Sequence, residues 1–71
     1  MKNTIIEFTL NNRKHTYYRR LDIANKPLVT TNINNARKVS KYDVAPIIRK
    51  LFKEYGKGNI KDFNLIKDDK K

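Results

Sequence analysis

Asp43-Val44-Ala45-Pro46-Ile47-Ile48-Arg49-Lys50-Leu51-Phe52-Lys53-Glu54-Tyr55-Gly56 is the stretch that decides the fold. Val44, Ile47, Ile48, Leu51, Phe52 and Tyr55 recur at i, i+3, i+4, i+7, i+8 and i+11, which draws one apolar stripe along a helix. Two starts compete. Ser40 with Asp43 three residues on approximates a capping box, but it would push Pro46 past the first turn, where a missing N–H and a ring clash are costly. Asp43 as N-cap keeps Pro46 inside the first turn, so regular helix is expected from there, with a looser turn from Ser40. Gly56 is the expected stop, and Lys53 and Lys57 complement the negative end of the helix dipole.

On the C-terminal side, Ile60-Lys61-Asp62-Phe63-Asn64-Leu65-Ile66 reads as a strand, followed by a charged tail at 67–71 that is expected to fray. On the N-terminal side, Thr4-Ile5-Ile6-Glu7-Phe8-Thr9-Leu10 alternates, with Ile6, Phe8 and Leu10 on one face. Asn11-Asn12-Arg13-Lys14 supplies turn residues, and His15-Thr16-Tyr17-Tyr18-Arg19-Arg20-Leu21 completes a hairpin. Between hairpin and helix, 22–27 reads as a loop and Leu28-Val29-Thr30-Thr31 as a short third strand. Residues 32–36 read as a turn that tucks in Ile33 and Ala36, and 37–39 as a brief extended piece. The order β-β-(β)-α-β predicts an α+β domain over 1–66, one amphipathic helix packed on a small antiparallel sheet.

The 71 residues carry 17 Lys+Arg against 7 Asp+Glu, a formal net charge of +10, with no Cys and one His. Cysteine-based zinc sites and disulfides are excluded, and no cofactor or metal is expected. The 12 Lys, 9 Asn and 8 Ile are all coded by A/T-rich codons. That bias explains Lys over Arg but not base over acid, so the excess charge points to a polyanion. The start lacks an apolar leader, and no run approaches the roughly 20 residues of a membrane span. A cytoplasmic protein without membrane contact is expected. So small a core gives only about 3–5 kcal/mol of stability, which makes a homodimer through a sheet edge a reasonable side expectation.

Catalytic candidates are few. His15 sits among Arg13 and Lys14 at a hairpin end, with no marked partner, and reads as a solvated turn residue; Asp68-Asp69 is half a metal site in a frayed tail. Gly56-Lys57-Gly58 follows a helix where a phosphate-binding loop should precede one. No enzyme activity is expected. The basic clusters say more. Arg13, Lys14, Arg19 and Arg20 put four cations into eight residues, and the helix carries Arg49, Lys50 and Lys53 off its apolar stripe.

Successive strand residues face opposite ways, so one of Tyr17 and Tyr18, and one of Arg19 and Arg20, should face out. A ring two residues from a guanidinium is the pairing used to stack a base and hold a phosphate in single-stranded nucleic acid. An ordinary β-former beside a solvated Arg is the plainer reading of the same residues. A hairpin ribbon tipped by Asn11, Asn12 and Arg13 also suits a duplex major groove. Nucleic acid, single- or double-stranded, or a nucleoprotein complex is thus the expected partner, bound by Arg13, Lys14, Tyr17, Tyr18, Arg19, Arg20, Arg49, Lys50 and Lys53. The alternative is docking on an acidic host protein.

Thr31-Asn32-Ile33-Asn34-Asn35-Ala36-Arg37-Lys38-Val39-Ser40, followed by a helix and a last strand, resembles short accessory proteins of phages and mobile elements of low-G/C Gram-positive bacteria. The likeness spans about 30–66 and carries over no functional residue. It implies a module that modulates host or defence machinery, an inhibitor or adaptor.

Overall fold

A computed structural model describes residues 2–67. Four strands, β1 (Thr4–Leu10), β2 (Arg13–Leu21), β3 (Pro27–Thr30) and β4 (Ile60–Lys67), form one antiparallel sheet in the order β3-β2-β1-β4. One helix, α1 (Val44–Tyr55), covers one face. The expected α+β architecture is therefore present, with β1 as a central strand.

The first hairpin closes on two residues, not four. Asn11 and Asn12 both take positive φ, 50° and 69°, and Leu10 pairs with Arg13. Two consecutive left-handed residues make the tight turn whose twist matches the flanking strands, and Asn tolerates that conformation. Arg13 and Lys14 thus belong to β2. The ladder slips by one residue between Phe8 and Leu10, where His15 has φ 62°; β4 repeats the device opposite Glu7–Thr9, with Asp62 at φ 57°. Each slip is a bulge that bends its strand.

The 3.6-residue stripe of α1 meets the even-numbered face of β1. Ile6, Phe8, Tyr18, Val39, Val44, Ile47, Leu51 and Ile60 form the buried core. Phe63 joins it through rings of Phe8 at 5.6 Å and Phe52 at 5.3 Å, the latter edge-on. The helix starts as expected, with Asp43 at the N-cap position and Pro46 in the first turn. A single 3-10 turn, Lys41–Asp43, precedes it, and the Ser40 hydroxyl caps that turn by accepting from the Tyr42 N–H at 3.1 Å. Gly56, at φ 88°, ends the helix and donates its N–H to the Phe52 carbonyl at 2.8 Å.

The connection from β3 to α1 explains how one helix suffices. Residues 31–38 pass over the sheet face away from α1, where Ile33, Asn34 and Ala36 line a hollow with Ile5 and Ile66. A 3-10 turn forms at Ile33–Asn35, capped by the Asn32 side chain. The expectation that Ile33 tucks in is corrected: it stays 44% exposed, because it lies over the outer face and not in the core. The segment then inserts at the far end of the sheet. Arg37 N–H bonds the Tyr18 carbonyl at 3.0 Å, and Val39 exchanges two backbone bonds with Thr4, at 2.8 and 3.0 Å. Lys67 ends β4, and the rest of the expected frayed tail, including Asp68 and Asp69, lies outside the described residues.

Candidate polyanion-binding surface

Geometry redistributes the basic clusters. Arg13 and Lys14 stand exposed at the start of β2, Arg19 and Arg20 near its end, roughly 20 Å apart at strand rise. Four cations close in sequence are thus two pairs at opposite ends of the sheet. β2 also carries an extra residue relative to β3 between Tyr18 and Arg20, and Leu21 returns to the core side opposite Pro27. Strict alternation fails there, and Arg19 and Arg20 are both exposed, contrary to the expectation that only one would face out.

Neither tyrosine of the hairpin offers a ring to solvent. Tyr18 is 4% exposed within the core, and Tyr17, on the other face, is 7% exposed in register between Thr30 and Glu7. The expected outward stacking ring on β2 is therefore corrected: Tyr18 is held in the core, and Tyr17 is buried with Thr30 and Glu7 as its cross-strand neighbours. Burial pushes the Tyr17 hydroxyl above its ordinary range, and the Glu7 carboxylate beside it adds to the rise. His15 is not simply solvated. Its Nδ1 lies 3.0 Å from Glu7 Oε2, and that bond leads the causes that hold the Glu7 carboxyl below its ordinary range, with Asn64 adding a longer bond at 3.4 Å. The pair stands on an open strand face with the His side chain 75% exposed, and among the described residues no three His, Asp or Glu side chains gather.

What the fold does bring together is a groove of about 290 Å3 between α1 and the inserted segment. Lys2, Arg37, Lys38 and Lys50 line it over an apolar floor that includes Tyr18, Leu21, Val39 and Ile47; Asp43 is the one carboxylate among the lining residues. Burial raises the Tyr18 hydroxyl above its ordinary range, opposed by the Arg37 guanidinium, so the phenol stays a neutral donor beside the cations. Lys50 also lines a second hollow, of about 390 Å3, with Lys26, Lys53 and Glu54. Lys50 thereby joins the two into one cationic flank along the helix. Among the described residues the close charge pair is His15–Glu7; Asp43 and Glu54 border the hollows but make no ion pair at that range with Arg37, Lys50 or Lys53.

Lys50 and Lys53 of the expected set fall on this flank, while Arg13 and Lys14 lie at the remote hairpin tip. Arg49 is exposed and lines neither hollow. Lys2, Lys26, Arg37 and Lys38 were missed by reading clusters along the chain. The signal was the Arg37-Lys38-Val39 step, where a buried Val anchors two adjacent cations against the domain.

No helix among the described residues is long and apolar enough to cross a membrane. No protein-family model, no curated protein and no solved structure matches the chain.

Proposed function

We propose that this chain is a non-enzymatic nucleic-acid-binding module that grips the phosphate backbone along the flank between α1 and the 37–39 segment. The observation that carries the reading is the convergence of Lys2, Arg37, Lys38 and Lys50, drawn from three separate parts of the chain, on one groove that continues through Lys50 to Lys53 and Lys26. Like charges repel, so gathering four cations around a groove with Asp43 as the one carboxylate among its lining residues leaves a positive potential that favours an anion. A phosphate chain presents anions at regular spacing and releases counterions when bound. Phosphate contacts position the ligand without reading its sequence, so the module binds broadly.

Titration of labelled single-stranded and duplex oligonucleotides at low salt tests this. Dissociation constants of roughly 1–100 µM near physiological salt are expected for backbone-only contact. No binding to either form at low salt refutes it. That result would favour the second reading, docking on an acidic protein as an inhibitor or adaptor. The hollow over the outer sheet face supports that reading, since Ile5, Ile33 and Ile66 lie there beside Lys38 and Lys67.

A further inference from the structure

Resting on the reading above, we infer that Tyr42 is the base-stacking platform of this module and that its preferred ligand is single-stranded nucleic acid. The sheet tyrosines are buried, whereas Tyr42 is 79% exposed and is the one aromatic among the exposed large apolar residues described. Its backbone is fixed: the Tyr42 N–H donates to the Ser40 hydroxyl at 3.1 Å, and the Asp43 N–H bonds the Ser40 carbonyl at 2.9 Å. The Lys41 ammonium lies 5.3 Å from the ring centroid, a cation–π contact that accounts for one side of the ring and leaves the exposed remainder to solvent.

Position turns this exposed ring into a site. Asp43, the next residue, lines the cationic groove, and Tyr42 itself lines a separate hollow with Asn3, Thr4, Ser40, Lys41 and Lys67. An exposed aromatic ring with Lys41 and Lys67 around it, one residue along the chain from a cationic groove, is an arrangement that can hold unpaired bases by stacking and their phosphates by charge. In a duplex, base faces are stacked on one another and closed to the ring. Tyr42 therefore adds affinity for single strands alone.

The test uses the full chain, as wild type, Tyr42→Ala and Tyr42→Phe, titrated with labelled oligo-dT, oligo-rU and a duplex. Circular dichroism checks that each variant is folded. Tyr42→Ala is expected to weaken single-strand binding by about 5- to 150-fold while leaving duplex binding unchanged. Tyr42→Phe keeps the ring and the affinity. The chain has no Trp, so tyrosine emission is readable, and wild type should lose emission on oligo-dT where Tyr42→Ala does not. The dT and rU arms separate a DNA from an RNA ligand. If wild type binds and Tyr42→Ala binds oligo-dT and oligo-rU equally well, or loses duplex and single strand alike, the stacking role is refuted while backbone binding stands. If wild type binds none of the three, the underlying reading falls instead.

Discussion

The cationic groove makes a quantitative prediction about salt. Each phosphate neutralised contributes about 0.7 to the slope of log affinity against log salt for single strands. If Lys2, Arg37, Lys38 and Lys50 each meet one phosphate, the groove alone supplies a slope of about −2.8, and raising salt from roughly 50 to 200 mM weakens binding about 50-fold. Replacing Arg37 and Lys50 together by Gln removes two of those contacts, leaving a slope of about −1.4 and a loss of only about 7-fold over the same range. Both side chains sit on the rim and not in the buried core, so the double variant should fold as wild type does. Fluorescence anisotropy of a labelled oligonucleotide, repeated at four or more salt concentrations, reads the slope directly. The matched control is Arg13→Gln with Lys14→Gln, which removes the same charge at the hairpin end, outside the groove. Net charge acting at a distance would flatten both slopes equally. An unchanged slope in the Arg37/Lys50 variant, or equal flattening in the two variants, would refute contact at the groove.

Other consequences concern the fold. Leu51 is fully buried, so Leu51→Ala should cost about 2–5 kcal/mol, comparable with the entire stability of so small a domain; urea denaturation should show a chain that is largely unfolded or nearly so. Asn11→Val places a β-branched residue at φ 50° and should destabilise by about 1–2 kcal/mol in the same assay, whereas Asn12→Gly, at φ 69°, should be close to neutral. The Glu7 carboxyl is held below its ordinary range chiefly by His15, so the stabilisation from this group is present above the unfolded pKa, near 4.5, and disappears as pH falls through the lower folded value. His15→Ala should therefore cost about 0.2–1 kcal/mol at neutral pH, and thermal melts of wild type and variant should converge in acid. A gap that persists at low pH would show that the pair is not its source.

Local pattern made most of the fold legible. The spacing from Val44 to Tyr55 specifies a helix whatever surrounds it, and Asn-Asn between two alternating runs specifies a hairpin, since side-chain periodicity and turn conformation are properties of a few adjacent residues. What failed was alternation extrapolated through irregularity. The extra residue near Arg19 turns two neighbours to solvent, and nothing in Tyr-Tyr-Arg-Arg announces it. Tyr17 was misjudged for a different reason: a ring that points away from the core is still buried when neighbouring strands flank it, and its pairing with Thr30 and Glu7 is a matter of register between separate parts of the chain. The groove shows the same limit. Lys50 was visible on the helix, but Lys2 and Arg37 reach it only because Val39 docks beside Thr4, and that contact joins residues 35 positions apart.

That docking also sets how long the groove lasts once formed. Arg37 is tied to β2 and Val39 to β1, so its wall cannot peel away without parting bonds to two strands at once. Opening the groove is then coupled to dismantling the sheet, and the amide protons of Arg37 and Val39 should exchange with solvent as slowly as those in the middle of β1. A ligand held there meets charges mounted on a backbone that survives as long as the native state does.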